Sequence, residues 1–142
     1  MADTFVLDCS VAAKWVLPEP DRPIAVEWLE RHKSGEVRLI APELLLIELA
    51  SLLVKRNRQK DISASQVHAA YSLVAESSIT LFEIRPLFSG ALDLSLRHHM
   101  SFWDCVYLAL ALEHDCPLLT ADARLFRAGK SRHPSIRLMR GN

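Results

Sequence analysis

Short apolar runs alternate with segments of helical periodicity along the whole chain. The apolar runs are rich in leucine and β-branched residues, which is typical of buried strands, and they lie at residues 4–8, 37–41, 79–84, 116–120 and 135–139. The predicted helices lie between and around them, at residues 10–17, 21–35, 43–58, 63–77, 86–99, 101–114 and 123–128. Strands that alternate with helices in this way predict an α/β fold around a mostly parallel sheet.

Capping and breaking residues mark several of the predicted helix ends. Asp21 and Gly35 stand where the second helix should begin and end. Ser63 and Gln66 match a capping box, and Ser101 begins a similar pattern before the helix at 101–114. No linker or repeat divides the sequence, so we expect one domain over residues 1–142.

Four carboxylates interrupt the apolar segments. Asp8 ends the first strand, Asp122 follows the fourth strand closely, and Asp104 lies in the first turn of an apolar helix. Glu48 is embedded in the apolar run L-L-L-I-E-L-A-S-L-L. Three of the four lie near strand-to-helix corners, and functional residues of parallel sheets gather beyond the carboxyl ends of the strands. We therefore expect one site that contains all four acids.

Each acid also has a purely structural alternative. Asp8 could cap the first helix in place of Ser10, Asp104 could complete a capping box, and Asp122 could be a turn or N-cap residue. Glu48 could reach solvent from the edge of its helix. A chain without a site would need all four alternatives at once.

The chemistry of neighbouring carboxylates indicates a divalent cation. Crowded carboxylates repel one another, which raises their pKa values unless a cation compensates. Mg²⁺ and Mn²⁺ are hard cations that prefer oxygen ligands and keep water molecules. Such a site activates water and stabilises a phosphoryl oxygen, as phosphodiester hydrolysis requires. We predict Mg²⁺, with Mn²⁺ as a substitute.

Composition limits the remaining function classes. Basic and acidic residues are equal in number, although basic residues cluster in K-R-N-R-Q-K at 55–60 and again after Asp122. The three cysteines form no C-x-x-C pair, which argues against a disulfide framework or a zinc site and indicates a reducing cytoplasm. No apolar run is long enough to span a membrane and no signal peptide is evident, so we expect no membrane partner.

Four segments together resemble the successive motifs of PIN-domain ribonucleases. They are F-V-L-D-C-S-V-A-A-K-W, P-E-L-L-L-I-E-L-A-S-L-L, S-F-W-D-C-V-Y-L-A-L-A and P-L-L-T-A-D-A-R-L-F, and they cover essentially the whole chain in the family's order. More narrowly, they resemble the toxin subunit of VapBC toxin–antitoxin pairs. The resemblance implies a central parallel sheet of about five strands flanked by helices. It also implies a Mg²⁺-dependent endoribonuclease.

The resemblance further implies a role for each matching residue. The metal would be held by Asp8, Glu48, Asp104 and Asp122, while Ser10 and Thr120 would hydrogen-bond those carboxylates or the water around the ion. Flanking RNA phosphates would meet basic side chains, for which the candidates are Arg124, Arg127, Arg56 and Arg58. The implied partners are an RNA substrate, with transfer RNA as one candidate, an antitoxin protein and a second copy of this chain.

Several apolar residues have two interpretations. The helix around Glu48 is apolar on nearly every side, which predicts burial all round, in part against a partner. Trp15 and Trp28 could line a partner's groove, but core packing is favoured. Trp103 could stack on a nucleobase, but its place at the start of an apolar helix also favours packing. The adjacent imidazoles of R-H-H-M at 97–100 point apart on a helix, so a zinc role there is not expected.

Other α/β proteins that bind Mg²⁺ fit the sequence less well. A receiver-like signalling domain needs paired acids after the first strand and an aspartate at the end of a middle strand, and V-R-L-I-A-P offers none. A haloacid-dehalogenase phosphatase needs an acid where Ser10 stands. The alternatives are a stand-alone PIN nuclease in RNA processing, or a catalytically silent receiver-like or protein-binding module.

Overall fold

A parallel sheet of five strands forms the centre of the protein. The structure is a computed structural model that describes residues 2–129 and 135–141. The strands are β1 (Asp3–Leu7), β2 (Val37–Pro42), β3 (Thr80–Phe82), β4 (Leu118–Thr120) and β5 (Ile136–Leu138). Their order in the sheet is β3-β2-β1-β4-β5, and every neighbouring pair is parallel. The predicted α/β fold with a parallel sheet is confirmed.

Helices connect the strands, as parallel pairing requires. They are α1 (Cys9–Val16), α2 (Arg22–Lys33), α3 (Leu44–Arg58), α4 (Ala64–Ala75), α5 (Phe88–His98), α6 (Phe102–Glu113) and α7 (Ala123–Gly129), and a 3₁₀ turn at Arg85–Leu87 leads into α5. Each predicted helix is present, with its ends shifted by a few residues.

The first strand lies in the middle of the sheet, between β2 and β4. Val6 is in register with Ile40 on one side and with Leu118 on the other, and all three side chains are fully buried. A strand covered on both edges and both faces must be apolar, which explains the sequence F-V-L. The residue after β1 therefore emerges at the centre of the sheet's carboxyl edge.

The predicted helix starts are confirmed at Ser63 and at Asp21, but of the two only Ser63 caps its helix through its side chain. Ser63 Oγ accepts from the Gln66 amide, while the Gln66 side chain accepts from the Ser63 amide, which completes the capping box of α4. Asp21 occupies the N-cap position of α2 but makes no capping hydrogen bond. Its carboxylate instead pairs with Lys14 Nζ at 2.9 Å and with Arg140 Nη2 at 2.7 Å, because both cations lie within reach. Asp21 therefore joins α1 and the segment after β5 to the start of α2.

The chain itself buries one side of α3, and the predicted burial of the other side against a partner stays a prediction. Leu45, Leu49 and Leu53 are fully buried, but Ile47 is 58% exposed and Val54 is also exposed. A helix packed on one side of a small sheet keeps an outer face, whatever residues that face carries.

The two tryptophans of α1 and α2 belong to the core, as favoured above. Trp15 is buried and donates from Nε1 to the Ala25 carbonyl at 2.8 Å. Trp28 is buried against Phe5 and donates from Nε1 to the Met139 carbonyl at 2.8 Å. Both rings therefore contribute mainly to the core of the chain itself.

Within residues 2–129 and 135–141, no helix combines the length and the apolar character that crossing a bilayer demands.

Candidate metal centre

Asp8 is a buried carboxylate at the end of the central strand. It directly follows β1, and its amide donates to the Leu119 carbonyl of β4 at 3.0 Å. Ser10 Oγ donates to Asp8 Oδ2 at 2.5 Å, and Thr120 Oγ1 donates to the same oxygen at 2.9 Å. Asp8 makes no side-chain cap on α1, so the capping alternative is wrong. Ser10 does not occupy the N-cap position either, since it lies inside α1. Its hydroxyl binds the Asp8 carboxylate.

The hydroxyls of Ser10 and Thr120 also fix the segment that follows β4. Ser10 Oγ accepts from the Ala121 amide at 2.9 Å, and Thr120 Oγ1 accepts from the Asp122 amide at 3.0 Å. Each hydroxyl thus binds the Asp8 carboxylate and a backbone amide on the chain that leads to Asp122. This network holds the positions of Asp8 and Asp122 relative to each other.

Asp122 caps the last helix. Its Oδ1 accepts from the amides of Arg124 at 2.9 Å and Leu125 at 3.2 Å, the pattern of an N-cap residue at the start of α7. The capping alternative is therefore correct for this residue. The two amides occupy Oδ1 from one side, so capping does not exclude a second role for the carboxylate.

Asp104 stands in the first turn of α6. Its amide donates to Ser101 Oγ at 3.1 Å. Among the described residues, the reciprocal bond from the Ser101 amide to the Asp104 carboxylate is not formed, in contrast to the box at α4. The capping box is therefore only half built, and the half-buried carboxylate is available to the space in front of the sheet.

Glu48 is held by a tyrosine that sequence reasoning missed. Tyr107 Oη donates to Glu48 Oε1 at 2.5 Å and connects α6 to α3. The Tyr107 ring is buried, and burial followed by the nearby charges of Asp8 and Glu48 raises the pKa of its hydroxyl, which therefore keeps its proton and acts as a donor. The sequence did contain a signal for this role. Tyr107 lies three residues after Asp104, and residues three apart share a helix face, so the two side chains could be placed near each other.

Three of the four carboxyl groups have raised pKa values. Burial is the largest cause for Asp8, Glu48 and Asp104. Hydrogen bonds oppose the shift, from Ser10 and Thr120 to Asp8 and from Tyr107 to Glu48, but the acids raise one another's pKa values.

The pattern of mutual repulsion shows which acids are neighbours. Asp8 is affected by Asp104 and Asp122, Glu48 by Asp8 and Asp104, and Asp104 by Asp122. The one cation that lowers any of these pKa values is Arg124, which acts on Asp104. The structure thus brings together the four acids that the sequence predicted.

The acids surround a cleft of about 420 Å³. Glu48, Asp104, Asp122 and Arg124 line it, and Asp8 lies buried among their charges. Trp103 also lines the cleft and is 58% exposed, so the expectation that it packs in the core is wrong. Phe102 still packs against the core, whereas its neighbour Trp103 lies at the cleft.

The donor set fits a divalent cation. It consists of carboxylate oxygens only, and burial combined with mutual repulsion leaves a deficit of positive charge that a hard cation would compensate. As the side chains stand in residues 2–129 and 135–141, no three acidic, histidine or cysteine groups are close enough to ligate one ion. The metal roles of the four acids stay a prediction.

The basic candidates are distributed unequally. Arg124 lines the cleft, and Arg127 is exposed on the same short helix. Arg56 pairs with Glu19 at 3.5 Å, and Arg58 is exposed about 15 Å along α3 from Glu48. Only Arg124 is placed beside the acids, and none of the four contacts has been tested.

The PIN domain profile matches residues 5–131, which is most of the chain and includes all four acids. The chain belongs to the PIN-domain family. The resemblance seen in the sequence is therefore confirmed. Nucleases with a PIN domain generally use divalent metals, in agreement with the all-carboxylate donor set of this PIN domain.

Two relatives are VapC ribonucleases. Ribonuclease VapC1 of Mycobacterium tuberculosis is 34% identical over 88 residues, which are 62% of this chain and 65% of VapC1. The match thus spans slightly less than two thirds of that relative. A VapC ribonuclease of Mycobacterium bovis is 30% identical over 104 residues, which are 73% of this chain and 80% of the relative.

Solved structures show the same fold. The protein PAE2754 of Pyrobaculum aerophilum has a TM-score of 0.74 at 18% identity, over 99% of this chain and 93% of that one. A toxin–antitoxin complex of Klebsiella pneumoniae contains a chain with a TM-score of 0.63 at 14% identity, over 93% of this chain and 94% of that one.

Proposed function

We propose that this PIN domain, over residues 1–142, is a Mg²⁺-dependent endoribonuclease and the toxin of a VapC-type toxin–antitoxin pair. The observation that carries the proposal is the convergence of four acids from separate segments at one cleft, where burial raises the pKa values of Asp8, Glu48 and Asp104 and where Arg124 lies beside Asp104. The names of the relatives, which are ribonucleases, support the substrate class.

Each acid has a defined part in the proposed site. Asp8 is fixed through Oδ2 by Ser10 and Thr120, and among the described residues nothing donates to Oδ1, which leaves that oxygen for an ion. Tyr107 fixes Oε1 of Glu48 and leaves Oε2. Asp104 and Asp122, which line the same cleft, complete the donor set.

A divalent ion bound there supplies Lewis-acid stabilisation of a phosphate oxygen and lowers the pKa of water at the scissile bond. The protein provides the fixed carboxylates, and the Arg124 guanidinium meets the charge of a flanking phosphate. We propose Mg²⁺ as the ion and Mn²⁺ as a substitute.

The test is cleavage of RNA by the purified protein. A total RNA pool and a transfer RNA pool are incubated with Mg²⁺, with Mn²⁺ and with chelator, and wild type is compared with Asp8→Asn and Asp104→Asn. Asp93→Asn is the matched control, since Asp93 is an exposed acid on α5 that pairs only with Arg97 among the described residues. We expect metal-dependent cleavage by wild type and control, and none by the two site variants.

Equal cleavage by wild type and both site variants would indicate a contaminant and refute the four-acid site. The comparison between variants does not require the target RNA to be known, because each variant and wild type are incubated with the same pool.

We further propose an antitoxin partner, a homodimer and a cytoplasmic location. The antitoxin is supported by the toxin–antitoxin complex among the structures of the same fold. The dimer is supported by large apolar side chains on the outer faces of α3 and α5, where Ile47, Leu92 and Leu96 are exposed. The three cysteines are all free thiols, which agrees with a reducing compartment.

Light scattering on Leu96→Glu tests the dimer. Loss of the dimer mass in this variant, with Asp93→Asn unchanged, would support it, and a monomeric wild type would exclude it.

A further inference from the structure

Trp103 differs from the other tryptophans of this chain. Trp15 and Trp28 are almost fully buried, and each donates its indole N–H to a backbone carbonyl. Trp103 is 58% exposed. Exposing most of an indole to water carries a free-energy cost, so an exposed tryptophan inside a cleft calls for a ligand.

The position of Trp103 relative to the acids is fixed by the backbone. It immediately precedes Asp104 in the first turn of α6, and that turn is held by the hydrogen bond from the Asp104 amide to Ser101 Oγ. Trp103, Asp104 and Arg124 line the same cleft. An aromatic face, a carboxylate and a guanidinium are therefore adjacent at one opening.

The indole is also supported from behind. Its ring lies edge-to-face with Phe102, with centroids 5.9 Å apart and an interplanar angle of 74°. Phe102 in turn contacts the ring of Phe88 on α5, with centroids 5.8 Å apart. A ring held in this way loses little conformational freedom when a ligand stacks on it.

We propose that Trp103 stacks on an unpaired nucleobase next to the scissile phosphate, so that the RNA is single-stranded where it is cut. This inference rests on the proposed nuclease function. Stacking on an aromatic side chain needs a base outside a helix, because bases in a duplex are already stacked on each other. Arg124 then meets the backbone phosphate of the same strand, which joins charge and stacking as in other single-strand sites.

An apolar protein surface is a poorer occupant of the same cleft. It would have to cover Glu48, Asp104 and Asp122 and remove them from water without supplying positive charge, which is costly. A nucleotide offers a flat apolar base to the indole and leaves the carboxylates to the cation.

Steady-state cleavage of a short single-stranded RNA, and of the same RNA in a duplex, tests the proposal. Trp103→Ala is expected to raise KM about tenfold with kcat little changed, and Trp103→Phe is expected to lie between it and wild type. Leu112→Ala is the control, since Leu112 is an exposed apolar residue at the other end of α6. The control should match wild type, and the duplex should be cut far more slowly than the single strand.

A binding measurement complements the kinetics. In an Asp8→Asn background, which should not cleave, single-stranded RNA added with Mg²⁺ should quench tryptophan fluorescence, because Trp103 is the exposed tryptophan. The quenching should disappear in the double variant that also carries Trp103→Phe.

The outcomes separate this inference from the function on which it rests. Wild-type cleavage with an unchanged KM in Trp103→Ala and no quenching would refute the stacking and leave the nuclease intact. Equal cleavage of duplex and single strand would also refute it. A change of molecular mass in Trp103→Ala with normal KM would assign the indole to a protein contact instead. If wild type cleaves no RNA with Mg²⁺ or Mn²⁺, the proposed function fails, and this inference fails with it.

Discussion

Tyr107→Phe removes one hydroxyl from the site and leaves the aromatic ring in the core. The hydroxyl donates to Glu48 Oε1, and the ring is buried under α6. The change therefore releases the Glu48 carboxylate without opening a cavity of any size. It tests whether an acid from α3 must be held in place by α6 for the cleft to bind a metal.

The expected cost has a part in stability and a part in metal binding. Hydrogen bonds to charged groups contribute about 1.5–3 kcal/mol, and we take the lower end because Glu48 is only half-buried and water replaces part of the interaction. A loss of about 1.5 kcal/mol corresponds to a fall in Tm of about 5 °C for a domain of this size. Side chains that orient a metal ligand typically change metal affinity about 10–100-fold, so half-saturating Mg²⁺ should rise by about tenfold or more.

The pH dependence gives a second readout with a definite sign. The Tyr107 hydrogen bond lowers the pKa of Glu48, against the burial that raises it. Without the hydroxyl the pKa of Glu48 rises further, and the ionised form, which is the form that would bind a metal, appears at higher pH. Activation of Tyr107→Phe by Mg²⁺ should therefore shift toward alkaline pH relative to wild type.

The assay is RNA cleavage across a Mg²⁺ titration at several pH values, with Tm measured on the same samples. Tyr71→Phe is the matched control, because Tyr71 is the other tyrosine of the chain and lies exposed on α4. An unchanged Mg²⁺ requirement in Tyr107→Phe would refute the reasoning, even with a lowered Tm. The hydrogen bond would then serve folding only.

Further predictions concern the charges and one helix cap. Asp8→Asn should raise the free energy of unfolding of the metal-free protein at neutral pH by about 0.5–2 kcal/mol, seen as a higher Tm, because it removes a buried charge and keeps a hydrogen-bond acceptor. A lower Tm in chelator would contradict this. The Tm gain from Mg²⁺ should grow as pH rises above the ordinary range of a carboxyl group, because the raised pKa of Asp8 stabilises the metal-free folded protein at low pH and this contribution is lost as pH rises through that pKa. A gain that is flat with pH would contradict the carboxylate site. Asp21→Asn should cost about 1 kcal/mol or less, because Lys14 and Arg140 lose a shared partner, and high salt should reduce the cost; an equal cost in high salt would argue against the ion pairs. Ser63→Ala should cost about 1 kcal/mol in urea unfolding through loss of the α4 cap, and no change would mean that this end is frayed.

The four acids could be predicted as site residues from the sequence because each stands in an apolar segment, where a carboxylate is unusual. A carboxylate directly after a buried strand, or within a leucine-rich helix, is costly unless a structure or ligand compensates it. Parallel topology then requires strand ends to share one edge, so Asp8 and Asp122 had to be near each other. The roles of Ser10 and Thr120 could not be fixed in this way, because a hydroxyl has several short-range partners and only the fold selects among them.

Trp103 shows where periodicity fails. It lies on the same stripe of α6 as Val106, Tyr107 and Leu110, all of which are buried, so the pattern favours burial for Trp103 as well. Periodicity gives the direction of a side chain around the helix axis but not the point along the axis where the core ends. α3 is a related case, since the apolar content of a helix does not reveal how many of its sides the chain itself covers and how many are left for a partner.

The hydrogen bond between Thr120 and Asp8 joins residues 112 positions apart in the chain. At a synthesis rate of about 5–20 residues per second, roughly 6–20 seconds therefore pass between the addition of Asp8 and the addition of Thr120, whose hydroxyl fixes the Asp8 carboxylate. Asp122 is translated after Thr120, and β4 must dock beside β1 before the Thr120 hydroxyl can bind Asp8. A nascent or truncated chain thus carries some of the acids without the arrangement that orients them. The proposed site is therefore complete only after Asp122 has been translated and β4 has docked beside β1.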